Sequence, residues 1–284
     1  MQKILVPFDF SAYAEYALDF AHDYAANTKG EIKLLHVIEH NAYGGISAAG
    51  EMPALGNFES EYISSLLNDS KKRLKEKVES KEFKDVKIDF EVKIGTPFHN
   101  IVSEITHYEA DVIIMGTKGS SGLEEFFIGS NAEKIVRFAK CPVITIPIDA
   151  GFDSIKNIAF AINFEDEQMQ VVELLKSYQK IFNANLNLVW INTLHVVESD
   201  ELINERLKGF ADKYGIENYS THTYKSLTPE QGILNFAVEH DMDMIALATH
   251  GFKGLAHLFL GSIAEDIVNH SKIPVWTFSL KGIN

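Results

Sequence analysis

The chain has 284 residues, 46% of them hydrophobic and 23% charged, and its acidic residues outnumber its basic ones 40 to 26 for a formal charge of −14. That composition excludes a disordered chain and supplies enough apolar material for two ordinary cores, while the negative surface argues against nucleic-acid binding. No apolar run is long enough to span a bilayer, Met1 leads straight into a strand-like run without a signal-peptide segment, and the single cysteine, Cys141, admits no intramolecular disulfide, so a soluble protein of the reducing cytoplasm is expected.

In chain order, residues 3–9 are a short apolar run ending in Pro7-Phe8-Asp9, and Ala14, Ala17, Leu18, Ala21 and Ala25 then recur at helical spacing after Ser11. Residues 32–38 form a second apolar strand, and residues 40–57, with Gly44, Gly45, Gly50, Pro53 and Gly56, read as a loop. A helix over 58–80, a strand over 86–94, a helix over 98–108, a buried strand over 111–115, a helix over 130–140 and a strand over 142–147 follow. Residues 148–155, with Asp149, Gly151, Asp153 and Ser154, are a polar join, after which the order starts again. Strands over 158–162, 186–191, 219–224, 242–248 and 274–278 alternate with helices over 165–182, 229–240 and 262–271, and with a shorter one before residue 219. Strict alternation predicts an α/β fold, parallel sheets covered by helices on both faces.

The chain also repeats residue by residue. Gly129-Ser130-Asn131-Ala132-Glu133 returns as Gly261-Ser262-Ile263-Ala264-Glu265, and Cys141-Pro142-Val143 as Ile273-Pro274-Val275. Internal duplication, with domains over 1–150 and 151–284, is the expectation. Cys141, beside Pro142 and an apolar strand, is expected to be buried and unreactive.

After the buried strand comes Gly116-Thr117-Lys118-Gly119-Ser120-Ser121-Gly122, then Gly129-Ser130, a G-x-x-G-x9-G-S spacing. Gly116 and Gly119 can take positive φ and let backbone approach a ligand, and the free N–H groups of a helix opened by Gly129-Ser130 suit a phosphate. Ser130 with Glu133, and Ser262 with Glu265, also fit a capping box, so the same residues could simply start helices. Asp9 ends the first strand as Gly116 ends the fourth. If those strands are neighbours where the order reverses, both face one crevice, and Asp9 could accept a ribose hydroxyl or help hold a metal ion on phosphates. Equally, its carboxylate suits the start of the next helix.

No Walker loop, G-x-G-x-x-G, H-E-x-x-H or G-x-S-x-G motif occurs, and no nucleophile, base and orienting acid assemble, so no catalytic residue is named. His36, Glu39 and His40 read as structural or solvated rather than metal-binding; His195 with Glu198, and His240 with Asp241 and Asp243, read as loop residues.

Pro7-Phe8-Asp9-Phe10-Ser11, Leu35-His36-Val37-Ile38-Glu39 and the G-x-x-G-x9-G-S loop resemble the ATP-binding universal stress proteins, once per half, as in the tandem members of that family. The resemblance implies two doubly wound domains, each a five-stranded parallel sheet in the order 3-2-1-4-5, in a stress-response protein. It implies adenine held by backbone near Val37, Pro7 and Asp9 lining the nucleoside pocket, and phosphates on Gly116, Gly119, Gly129, Ser130 and Asn131, with Lys118 adding positive charge or pointing to solvent. ATP, ADP or AMP is then the expected ligand, with or without Mg, and the last strands of the halves are expected to pair with one another or across a homodimer. In the second half Asn163 replaces Asp9, Ala161 replaces Pro7, Ile191 replaces Val37 and Ala248 replaces Gly116, ahead of Gly251, Gly261 and Ser262; a weakened or vacant site is expected there. The leading expectation is a nucleotide-binding regulatory protein. A slow ATP hydrolase, and a scaffold or binder of another small ligand, are the alternatives.

Overall fold

A computed structural model describes residues 1–39, 57–118, 129–164, 169–193, 199–249 and 260–279. The first half runs β1 (Lys3–Pro7), α1 (Ala12–Thr28), β2 (Glu31–Glu39), α2 (Asn57–Val78), β3 (Lys87–Gly95), α3 (Pro97–Tyr108), β4 (Val112–Gly116), α4 (Ser130–Phe138) and β5 (Val143–Ile146). The second runs β6 (Asn157–Ala161), α5 (Met169–Phe182), β7 (Asn185–Thr193), α6 (Asp200–Tyr214), β8 (Tyr219–Ser226), α7 (Pro229–Glu239), β9 (Met244–Thr249), α8 (Leu260–His270) and β10 (Val275–Ser279). The predicted alternation holds, and its edges shift by a residue or two, as helix and strand ends do, except that α5 begins at Met169, the four residues before it in the expected helix lying outside the described ones.

The strands make one ten-stranded sheet in the order β3-β2-β1-β4-β5-β10-β9-β6-β7-β8. Each half is therefore a 3-2-1-4-5 parallel sheet, and the two sheets join through β5 and β10, which pair antiparallel with Trp276 opposite Ile144. Of the two expected uses of the last strands, the chain takes the internal one. The Thr145 hydroxyl donates to the Val275 carbonyl at 3.3 Å and Thr277 returns the bond to Val143 at 3.4 Å. Each half thus covers the other's open edge.

The core lies on both faces of the sheet. Four of the six alanines of α1 (Ala14, Ala17, Ala21 and Ala25) are buried, which lets the helix lie close on β1 and β4. Across the join, Phe20 and Tyr24 of α1 meet Tyr178 and Phe182 of α5 at ring-centroid distances of 6.1 to 6.2 Å. Trp276 adds its indole to Tyr178 at 5.5 Å. The segment 148–155 departs from its reading as a polar join. Phe152 and Ile155 are buried, and Phe152 packs on Phe182 at 5.0 Å, so the connection is a plug in the shared core. Cys141 is buried, and burial pushes its thiol up to about 12, away from reactivity.

The halves diverge on the α3/α7 side of the outer strands. In the first, fully buried Glu104 holds Lys33 Nζ at 2.5 Å and also pairs with Lys93, each lysine reaching Glu91 as well. In the second, Asn187, His222 and Phe236 take that region. His222 Nε2 lies 3.0 Å from Asn187 Oδ1, and its ring centroid is 5.1 Å from Phe236 and 5.5 Å from His240. Burial, then the neighbouring His240, holds the His222 pKa below its ordinary 6.5. The unfolded chain therefore takes up this proton more readily, and stability is lost as pH falls through and below about 6.5. The expected result is a midpoint of thermal unfolding that drops between pH 7 and pH 5, with a shallower drop in His222→Gln, measured by circular dichroism.

Candidate functional site

Strand order reverses at β1, which pairs in parallel with β2 on one side and β4 on the other. The register Leu5↔Ile113 brings Pro7 to the level of Met115, so the chain leaves both strands at the same edge of the sheet, the place where doubly wound sheets bind ligands. On the β2 side the chain is tied down by Phe8 N–H to the Leu35 carbonyl at 2.9 Å. The Phe8 carbonyl in turn lies 2.8 Å from His36 Nδ1. His36 is thus a structural histidine, its pKa lowered mainly by burial. His40, His195 and Glu198 lie outside the described residues.

Asp9, half-buried, accepts the Ser11 N–H on Oδ1 at 3.1 Å, and Ser11 caps α1 by accepting from Ala14 N at 3.2 Å. Between them Phe10 takes φ +63°, a left-handed conformation that costs a bulky residue free energy. The Asp9 carboxylate thus holds the amide of the residue that caps α1.

Gly116 ends β4 without a positive φ, contrary to expectation. Its need for glycine is one of space: a Cβ there would come within 2.6 Å of the Tyr13 carbonyl oxygen and 2.7 Å of its carbon. The absent side chain lets the first turn of α1 sit against the strand end. Ala248, the counterpart of Gly116, likewise lies within a strand, β9 (Met244–Thr249). Lys118 does not simply point to solvent. Its ammonium is 5.7 Å from the ring centroid of Tyr13, in the first turn of α1.

Gly119 lies outside the described residues, as does Gly251 in the second half. Where the chain returns, Gly129 is the N-cap of α4, with no side-chain cap, and Ser130 is the first helical residue. The Ser130–Glu133 capping box is thereby corrected, because the cap position has already been taken by a residue without a side chain. The Gly129 N–H is itself engaged, donating to the Thr117 carbonyl at 2.7 Å. Ser130 and Asn131 are left at the head of the helix, where amides point out along the axis with the positive end of its dipole. In the second half α8 begins at Leu260, so Gly261 and Ser262 lie in its first turn.

Sequence reasoning passed over Thr117. It is buried, its N–H donates to the Ile146 carbonyl at 3.3 Å, and its carbonyl closes the loop on Gly129. The signal was present, since Thr117 returns as Thr249. Asp111 and Asp243 were also underread: Asp111 accepts from Lys3 N at 2.8 Å and Asp243 from Asn157 N at 2.8 Å, fixing the starts of β1 and β6. Val37 sits half-buried in β2 opposite Lys93, and Ile191 in β7 opposite Tyr224. Asn163 follows β6 as Asp9 follows β1, and Ile162 N–H to the Val189 carbonyl at 3.0 Å repeats the tie at Phe8.

The model of the universal stress protein family matches residues 1–147 and again 155–279. The chain belongs to the universal stress protein family. Universal stress protein Slr1230 of Synechocystis is 22% identical along 98% of this chain and 100% of its own length, so this chain and that one share the tandem arrangement. Universal stress protein MJ0531 of Methanocaldococcus jannaschii is 32% identical over 51% of this chain and 81% of its own. Among solved structures, a universal stress protein from Archaeoglobus fulgidus superposes with a TM-score of 0.74 at 19% identity, covering 98% of both chains, and supports the tandem universal stress fold. Among the described residues no helix is long and apolar enough to cross a membrane, and no group of three or more His, Cys, Asp or Glu side chains gathers around a metal-sized space.

Proposed function

We propose that the first half, taken as residues 1–150, binds ATP, ADP or AMP at the crevice between β1 and β4, and that the chain is a nucleotide-binding regulatory protein of the cytoplasm. The observation that carries the reading is the pairing of β1 with β4 beside a helix whose cap, Gly129, has no side chain to occupy the anion position. The residues present fit such a ligand. Pro7, Asp9 and backbone near Val37 would face the nucleoside, the loop from Gly116 through Lys118 and Gly119 and the amides of Ser130 and Asn131 the phosphates. Any magnesium would arrive on those phosphates, with the Asp9 carboxylate available to help hold it. The second half, residues 151–284, is proposed as a weakened site, since Asn163 lacks the charge of Asp9.

The test is calorimetric titration of ATP and AMP into the full chain. Asp9→Ala is expected to weaken binding about tenfold or more, as loss of a charge-assisted hydrogen bond does, and Asn163→Ala to change it little. Gly119→Val is expected to abolish binding. Equal affinities across the wild type and these variants would remove the proposal.

A further inference from the structure

We infer that Arg73 of α2 is a positioning residue for Asp9, clamping the strained turn that presents the carboxylate; the inference rests on the nucleotide-site reading above. The Arg73 guanidinium carbon lies 3.8 Å from the Phe10 ring centroid, close enough for the planar group to lie against the ring. Phe10 packs edge-on against His36 at 4.8 Å and Phe8 at 5.2 Å. Phe10 is thus held between a cation from α2 and two rings from the ends of β1 and β2, at φ +63°.

The same device is built a second time. Phe164, the residue after Asn163, has φ +58°. Arg206 of α6 stands 4.3 Å from its ring centroid and 5.9 Å from that of Trp190, the counterpart of His36 in β7, which stacks face to face with Phe164 at 4.7 Å. The sequence carries the repeat as well: Arg73-Leu74-Lys75 returns as Arg206-Leu207-Lys208, with both leucines buried. Two halves that have diverged at the buried ion cluster keep this stack.

The physical role follows from what the turn needs. A phenylalanine in the left-handed region tends to relax toward extended or right-handed backbone, which would carry Asp9 and the Ser11 amide apart. Arg73 lying over the ring, with His36 and Phe8 edge-on beside it, offsets that tendency, so the Asp9–Ser11 hydrogen bond and the carboxylate's aim are kept without cost at the moment of binding. A displacement of α2 would loosen the turn and lower affinity. Arg73 has no need to touch the nucleotide.

A double-mutant cycle on the full chain tests this, with ATP as the titrant and circular dichroism as the check on folding. Arg73→Ala is expected to weaken ATP binding about tenfold, the scale of the backbone strain it releases. In a Phe10→Gly background, where glycine adopts the left-handed turn unaided, Arg73→Ala is expected to change affinity less than about twofold. Unchanged affinity in Arg73→Ala overturns the inference and leaves the site reading standing. A full loss that persists in the Phe10→Gly background also overturns it, because Arg73 would then act on the ligand itself. A wild-type chain that binds no ATP overturns the site reading, and this inference with it.

Discussion

Trp276→Ala is expected to destabilise the whole chain by about 3–5 kcal/mol, the cost of emptying a well-packed aromatic site, and to do so in one transition rather than two. The indole is fully buried in β10, next to the antiparallel join with β5, and rests on Tyr178 of α5. Tyr178 in turn meets Tyr24 of α1 at 6.1 Å, so the space left by the indole opens onto both halves at once. A chain whose halves were separate folding units would lose the second half alone. Calorimetry checks the point: a single endotherm moved to lower temperature is expected, and a first-half endotherm left where it was would contradict the shared core.

Gly116→Val is expected to cost about 1–3 kcal/mol or more, the range for overpacking a dense interior, and to disturb the crevice at the same time. The new side chain would press on the backbone carbonyl of Tyr13, and backbone cannot rotate aside as a side chain can. Relief requires the start of α1 to lift, and with it Ser11, the partner of Asp9. Denaturant unfolding should show the lost stability and ATP titration a weakened site in the same variant. Normal stability with normal affinity would mean that α1 has room at this position.

Much of the fold was legible because parallel central strands are nearly pure apolar runs, as in residues 112–115, and because Gly-Ser-x-Ala-Glu occurs twice. The crevice could be anticipated from the chain order of Asp9 and Gly116. Finer features were misread where two physical reasons predict the same residue. Glycine at position 116 satisfies either a positive φ or a close approach, and only the neighbour Tyr13 decides between them. Ser130 with Glu133 fits a capping box, but spacing cannot tell the cap from the first helical residue. Phe152 lay among polar neighbours in a short stretch without periodicity, and the core it plugs is assembled from α1 and α5, far apart in sequence. The Arg73–Phe10 stack was hidden for a related reason: a lone arginine on a charged helix looks like any other solvated side chain until its counterpart is aligned.

The join between β5 and β10 has a geometric consequence. Since the two sheets meet head to tail, the carboxyl ends of β1 and β4 point one way along the sheet and those of β6 and β9 the other. The two crevices therefore open toward opposite poles of the molecule, too far apart in direction for one small ligand to bridge. A change that spoils the mouth at one pole leaves the other intact, while the sheet beneath both stays whole. Duplication in this form gives a chain one pole to conserve and one to vary.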